Sequence, residues 1–420
     1  MAIVSVVVFL VVIIAIMTEK VHRTAAALAG AVILLLTGVM SGQKALSYID
    51  FNTIGVLFGM MVFIAVARSS GMFEYIAIKA AKAVKGDPWK LMVVFMIITA
   101  LLSSILDNVT TVLLIGPMTL AITKMLEVDP VPFLLTQVFA SNIGGTATLI
   151  GDPPNIMIGS AANLSFVDFL VNTGVPVVFI IIAMLIVMKF RYKKDLSADS
   201  ADISKVMHLD ENKSVTDPRL MKETLVLVVV VVIGFIFHDK IGVDSCVIAL
   251  TAGALMLLIG KQNVDDMIAD VEWTTLVFFM ALFVVVGGLV ETGVIGKMSN
   301  LIITATSGHP MATMLVILWA SALLSSVLDN IPFVATMIPL ITAMGADGMD
   351  ISSFWWALSL GACLGGNGTM IGASANVVIS DISNKHGYPI TFKSFTKVGF
   401  PMMLLSIVIS MVYLLLRYGL

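Results

Sequence analysis

Charge is scarce in this sequence. Asp, Glu, Lys and Arg make up 12% of its 420 residues, against roughly 25% in soluble domains. A chain so poor in polar side chains cannot cover a water-soluble globule. Cysteine is scarcer still. Cys246 and Cys363 are the two in the chain, and both stand inside apolar blocks, which argues against a disulfide framework. There is no P-loop, no zinc-ligand spacing and no nucleotide fingerprint,. ATP hydrolysis by this chain alone is therefore not expected, and neither a cofactor nor a nucleic-acid partner is implied. The first apolar block lacks a basic leader and an A-x-A exit, so it is expected to stay as a first span.

What is present is apolar sequence, 59% of residues with a mean hydropathy of +1.05. It comes in long blocks. Ala2 to Met17, Phe169 to Met188, Leu225 to Phe237 and Pro401 to Leu416 contain no charge. About 20 apolar residues in a helix cross the hydrocarbon of a bilayer. Ten full spans are expected, near 2–17, 24–40, 53–69, 133–160, 167–189, 223–238, 243–260, 273–290, 353–380 and 398–416. Two further stretches, 89–126 and 311–345, are too long for one span and are broken by Asp, Asn and Pro. Each is either two spans or a re-entrant hairpin, a form that survives where protein or a water-filled cavity satisfies the freed backbone. Met72 to Lys85, with Lys79, Lys82 and Lys85 among apolar residues, suits a helix lying in the interface. Residues 191–222 form a hydrophilic linker that mixes Lys194, Lys205, Lys213 and Arg219 with Asp195, Asp199, Asp202 and Glu211; it is expected to have no fold of its own.

The chain repeats itself. At an offset of 222 residues, 101–108 (LLSSILDN) matches 323–330 (LLSSVLDN), Pro117 meets Pro339, Gly71 meets Gly293, and 85–88 meets 307–310. At an offset of 221, Gly144 to Gly151 meets Gly365 to Gly372, and Asn155 meets Asn376. Apolar low complexity does not align Asp-Asn, Gly-Gly, Pro and Asn together, so the pattern is read as a duplication. The expected organisation is an N-terminal repeat over 1–190, a cytoplasmic linker over 191–222 and a C-terminal repeat over 223–420. Five full spans plus one hairpin per copy give an odd number of crossings, so the second copy enters the membrane upside down. The fold expected is thus all-α and polytopic, with two inverted repeats and spans unwound at mid-membrane. Lys and Arg then place both termini outside a plasma membrane, with Lys20, Arg23, Arg68, Lys79, Lys82, Lys85, Lys90, Lys124 and the linker in the cytoplasm,.

Two constellations carry chemistry. The first is Asp107-Asn108 with Asp329-Asn330. An Asp at bilayer depth costs roughly 2.5–3.5 kcal/mol on insertion scales. Removal from water disfavours the charged form of a carboxyl, which suits it to carrying a proton or holding a cation. The plain alternative is a helix N-cap, which Asp and Asn both make well. The second constellation is Ser141 to Asn155, paired with Cys363 to Asn376. Its glycine pairs Gly144-Gly145 and Gly365-Gly366, with Pro153 and Pro154, unwind a span. Unwinding frees carbonyls and amides for a ligand, and Asn142, Thr146, Thr148, Asn155, Asn367, Thr369 and Asn376 add neutral ligands. Small-residue helix packing is the alternative. Asp152 faces Ala373 across the repeat, and is either a specialised proton site or a cap for the helix after Pro153. Cys363 stands where the first copy has Asn142. A thiol there suits trivalent arsenic, although a lone Cys in an apolar span is usually a small hydrophobe.

The strings 106–113 (LDNVTTVL) and 142–155 (NIGGTATLIGDPPN) resemble the ion transporter superfamily, in particular its branch of arsenite permeases, NhaD-type sodium/proton antiporters and P proteins. The resemblance implies inverted repeats with re-entrant hairpins, an elevator motion and a homodimer. Superfamily tips that carry Ser-Asn-Thr help bind sodium and a carboxylate; here the tips read Asp107-Asn108-Val109-Thr110, followed by Thr111, and Asp329-Asn330-Ile331-Pro332. Asp in place of Ser favours proton coupling through Asp107, Asp329 and Asp152. The expected function is efflux of arsenite or antimonite against proton entry, with sodium/proton antiport or anion transport as alternatives. An ATPase subunit docking on the linker stays open. An intramembrane aspartyl protease would need a G-x-G-D signature, and Asp152 follows Leu149-Ile150-Gly151 instead.

Overall fold

Apolar sequence in hydrocarbon has no water to pair its backbone, so each segment must satisfy its own N–H and C=O groups as a helix. The computed structural model describes residues 1–18, 20–193, 196, 206–306 and 308–419. Lys194, Asp195, Asp199, Asp202, Lys205 and Ser307 of the sequence reading lie outside the described residues. Among the described residues the chain is helical and has no strand.

The helices of the first half are α1 (Ala2–Thr18), α2 (Arg23–Leu36), α3 (Gly42–Tyr48), α4 (Phe51–Ser69), α5 (Met72–Ala83), α6 (Pro88–Ser103), α7 (Asn108–Met125), α8 (Val131–Thr146), α9 (Pro153–Ala162) and α10 (Phe166–Tyr192). Those of the second half are α11 (Pro218–Ile241), α12 (Ser245–Gly260), α13 (Val264–Ala269), α14 (Trp273–Glu291), α15 (Val294–Ala305), α16 (Pro310–Ser325), α17 (Asn330–Ala346), α18 (Ser352–Gly365), α19 (Ser374–Lys385) and α20 (Phe392–Tyr418). Helix α(n+10) follows the plan of αn throughout. The punctuation recurs with it. Gly71 and Gly293 precede α5 and α15 at φ 77° and 70°, a left-handed turn that glycine makes without strain. Pro117 and Pro339 sit inside α7 and α17.

Packing between the halves is reciprocal. Helix α2 lies on α14, and α12 lies on α4. Helix α7 meets α19, and α17 meets α9; α8 and α18 meet each other. Such exchange is what a two-fold axis requires. Helices α1–α4 and α11–α14 pack mainly among themselves and form a frame. Helices α6–α10 and α16–α20 form a core around α8 and α18.

The helices define the expected spans more closely, and some are shorter than expected. Among the described residues six helices are long and apolar enough to cross a membrane: α4, α7, α10, α11, α14 and α20. Others are shorter than expected; the 14 residues of α2 reach only about 21 Å. The stretches 133–160 and 353–380 each divide into two helices, α8–α9 and α18–α19, with residues 147–152 and 366–373 between them. The stretches 89–126 and 311–345 are helix pairs broken at 104–107 and 326–329, and their tips end inside the protein. Thr148 Oγ1 donates to Ser104 O, and Thr369 Oγ1 donates to Ser326 O, so each tip stops beside a break in the other helix pair.

The described end of the linker also differs from expectation, because it is docked. Lys82 Nζ donates to Leu209 O at 3.0 Å and to Glu211 Oε2 at 2.6 Å. Thr216 bonds to the backbone at Ser69 and Ser70. Glu211–Ser214 forms a 3₁₀ turn against α5. The expected interfacial helix is α5. Its face of Met72, Phe73, Ala77 and Ala81 is buried, and it packs on α6 and α7.

Candidate functional site

The site begins with glycine. A Cβ at Gly144 would land on the backbone of Ala100 in α6, and one at Gly365 on that of Ala322 in α16. Both positions must stay bare for the hairpins to approach. Past these glycines the helices stop, and their last carbonyls lose their partners. Asn155, in the first turn of α9, answers that loss. Its Nδ2 donates to Gly145 O (3.4 Å), Thr146 O (3.2 Å) and Thr148 O (2.9 Å). Asn376 does the same in α19, donating to Gly366 O (2.7 Å) and Thr369 O (2.9 Å). Several carbonyls that sequence reasoning offers to a ligand are thus held by the protein's own amides.

The two amide staples are tied to the opposite half. Asn142 Nδ2 donates to Asn376 Oδ1 and Asn367 Oδ1, both at 2.9 Å, and Asn142 Oδ1 accepts from Asn108 Nδ2 at 3.1 Å. Four asparagines from α7, α8, α19 and the break after α18 meet in one buried knot. Across the two-fold, Cys363 does the work of Asn142: its Sγ donates to Asn155 Oδ1 at 3.5 Å, beside Ser359 Oγ at 2.6 Å. The Asn142/Cys363 mismatch therefore keeps the role and changes the donor. Thr146 Oγ1 returns to Asn142 O at 2.7 Å.

The three aspartates differ. Asp107 caps α7, accepting from Thr110 N (2.9 Å) and Thr110 Oγ1 (2.5 Å), while Thr111 Oγ1 donates to Asp107 O. Asp329 caps α17 through Ile331 N at 3.1 Å, and its other oxygen accepts from Ser374 Oγ at 3.0 Å and Arg23 Nη1 at 3.5 Å. Asp152 precedes α9 but makes no capping bond. It is 1% exposed, and its carboxylate accepts from Asn330 Nδ2 at 3.3 and 3.5 Å. The cap reading of Asp152 is not what the geometry holds; the side chain reaches to the opposite tip.

Sequence reasoning missed Arg23, Glu272, Thr275 and Ser374. Arg23 counts there only as a topological charge. In the fold its Nη1 donates to Ser374 Oγ at 2.8 Å, its Nη2 donates to Thr275 Oγ1 at 3.2 Å, and its guanidinium lies 5.3 Å from the centre of the Phe278 ring. Thr275 Oγ1 in turn donates to Glu272 Oε2 at 3.0 Å. The available signal was a mismatch: Arg23 has Ser245 as its counterpart, and Ser374 has Pro153.

A cavity of about 480 Å³ opens here, lined by His22, Arg23, Val109, Glu272, Asp329 and Ser374 among others. A cleft of about 120 Å³ adjoins it at Leu113 and Glu272, with Arg68, Thr110 and Asp270 in its wall. The two-fold counterpart of that cleft is a cavity of about 630 Å³ with Tyr48, Asp50, Val290 and Ala335. Arg68 is replaced there by Val290. One mouth of the site is lined by guanidinium groups and its mirror is not. Among the described residues no three His, Cys, Asp or Glu side chains gather as metal ligands.

Comparison with known proteins bears on this geometry. The citrate transporter family (CitMHS) matches residues 13–361. A 46 kDa membrane protein of Mycobacterium leprae is 38% identical over 100% of this chain and 99% of its own. A protein of Mycobacterium tuberculosis named as an uncharacterized transporter is 39% identical over the same shares. The human P protein is 31% identical over 95% of this chain, which spans 58% of that longer protein. The fold is similar to the crystal structure of the Alcanivorax borkumensis YdaH transporter, with a TM-score of 0.63 and 15% identity over 92% of this chain and 88% of that one. The chain is an all-α, multi-pass membrane transporter, and it belongs to the citrate transporter family of the ion transporter superfamily.

Proposed function

We propose that the protein is a cation-coupled secondary transporter of a small carboxylate, with Asp329 and Asp152 as the coupling carboxyls. The observation that carries this reading is Arg23, a guanidinium in the wall of the cavity beside the tip of α17. Guanidinium is the side chain best matched to a carboxylate, which it binds in a fork of parallel hydrogen bonds. The description of the family, citrate transporter, is in keeping with that chemistry. The sequence has no ATP motif, so an ion gradient is the energy source. With inverted repeats and both termini outside the plasma membrane, the Arg23 cavity faces the cytoplasm. In proteoliposomes, labelled citrate is expected to accumulate under a proton or sodium gradient, and Arg23→Gln is expected to stop it. Uptake by Arg23→Gln at the wild-type rate would refute the reading.

Efflux of arsenite or antimonite is the second reading, and Cys363 is the observation that favours it. The thiol is fully buried and bonded to Asn155, and the neutral amides around it are bonded to one another, whereas Arg23 borders open space. Arsenite-dependent proton movement in the same vesicles, without citrate uptake, would restore it. Sodium/proton antiport through Asp152 and Asp329 predicts proton release by sodium alone.

A further inference from the structure

We infer that Arg23 exchanges Asp329 for the transported anion, so that a proton on Asp329 and a carboxylate on Arg23 bind together. The inference rests on the carboxylate reading above and adds the step that couples it to the proton.

The contacts of Arg23 are of two kinds. Thr275 at 3.2 Å and the Phe278 ring at 5.3 Å belong to the frame helix α14. They hold the guanidinium whatever the core does. Ser374 at 2.8 Å and Asp329 at 3.5 Å belong to the core helices α19 and α17. The Asp329 contact is the longest of the hydrogen bonds, so the ionic partner is also the loosest one. The pair borders a cavity of about 480 Å³, room enough for a small anion.

An anion entering this cavity meets Asp329 already on the guanidinium. Binding beside an ionised Asp329 would bury two negative charges against one positive charge, and uncompensated charge away from water is strongly disfavoured. Protonation of Asp329 removes that conflict. The carboxyl keeps its bond from Ser374 and releases Arg23, which then offers its fork to the substrate. The proton goes from solvent to an Asp329 carboxylate oxygen, and no covalent bond to substrate forms. Coupling of this kind is reciprocal: the proton raises anion affinity by the factor by which the anion raises proton affinity.

The surroundings of Asp329 add to the same balance. Glu272 and His22 line the cavity with it. Asp152 reaches its neighbour Asn330, and Asp107 lies at the opposite tip, two residues before Val109 of the same cavity wall. Glu272, Asp152 and Asp107 are acidic, and Arg68 lies with Glu272 in the adjoining cleft, so Arg23 is the guanidinium that meets Asp329. The mirror tip cannot make the exchange. Ser245 replaces Arg23, Pro153 replaces Ser374, and Asp107 is taken up by Thr110. The exchange therefore exists on one side of the fold alone.

The test is citrate binding to the purified full chain by calorimetry, from about pH 7 to about pH 9, where the citrate carboxyls are already ionised. Wild type is expected to lose affinity as pH rises, by up to about tenfold per pH unit where one proton accompanies each anion. Buffers of different ionisation enthalpy count that proton directly, without any variant. Asp329→Asn, which keeps the cap and the shape, is expected to bind citrate with an affinity that does not change with pH, and Arg23→Gln to bind none. Citrate binding to wild type without proton uptake, or an unchanged slope in Asp329→Asn, would overturn the exchange and leave the carboxylate reading standing. Wild type that binds no citrate at any pH would overturn both.

Discussion

The two hairpin tips are near copies in sequence and unlike in structure. Asp107 and Asp329 sit at equivalent positions, each capping the helix that follows. Asp107 spends both oxygens on Thr110. Asp329 uses one oxygen on its helix and offers the other to Ser374 and Arg23. The difference comes from four substitutions between the copies: Arg23 for Ser245, Ser374 for Pro153, Ile331 for Val109 and Pro332 for Thr110. A duplicated scaffold supplies geometry twice, and point differences then give one copy the chemistry. The copy without a guanidinium is the internal control.

Asp152 ranks with Arg23 for the largest effect expected in vesicles. Asp152→Asn removes the buried carboxylate that Asn330 holds, and gradient-driven citrate uptake is expected to fall to background. Asp107→Asn, by contrast, replaces one good cap with another, and uptake within about threefold of wild type is expected. Equal loss in both variants would end the distinction between a working carboxyl and a capping one.

The amide knot gives a comparison in stability. Asn142→Ala removes three hydrogen bonds and leaves Asn108, Asn367 and Asn376 short of partners, at about 1–3 kcal/mol for each buried group left unpaired. Cys363→Ala removes the long bond to Asn155 and a thiol beside Asp152, and about 1 kcal/mol is expected. Cys363→Ser keeps a donor and is expected to be nearly silent. Thermal unfolding in one detergent ranks the three, and a Cys363→Ala loss as large as that of Asn142→Ala would show the two positions are not equivalent in role. Between Asn142→Ala and Cys363→Ala falls Gly365→Ala, whose Cβ meets the Ala322 backbone; overpacking of that kind costs about 1–3 kcal/mol. Gly296→Ala meets no atom within 4 Å and serves as the matched control.

Much of the frame was legible because duplication makes its own alignment. Gly71 and Gly293, Pro117 and Pro339, and the Asp-Asn pairs mark the same joints in both copies. The breaks at 147–152 and 366–373 follow from glycine and proline and from nothing more distant. Span lengths were less legible, since the apolar blocks run on past the helix ends; α2 stops at Leu36 although the block continues to Met40. The reach of Asp152 to Asn330 was not legible at all. It spans 178 residues and depends on how two breaks face each other. Arg23 was visible but not singled out for the site, because a basic residue at the start of a span is the ordinary mark of topology. The linker was misread for a related reason: a polar segment has the same composition whether it is docked or free.

That docking is also asymmetric, and it carries the smallest expected effect. Helix α5 is clamped to the linker by Lys82, whereas its counterpart α15 has Thr304 at that position. Lys82 holds the Glu211 carboxyl below its ordinary value by direct hydrogen bonding. A carboxyl so held contributes to docking above the unfolded value of about 4.3. The contribution is lost as pH falls through the lower folded value. Cleavage of the linker by a protease active in both acid and neutral solution is therefore expected to quicken slightly below about pH 4, with transport at neutral pH unchanged. Lys82→Met is expected to show the quickened cleavage already at neutral pH, and Glu211→Gln, which keeps an acceptor for Lys82, to fall between. Cleavage rates equal in all three proteins at neutral pH would mean that Thr216 and the backbone around Ser70 hold the linker without the ion pair.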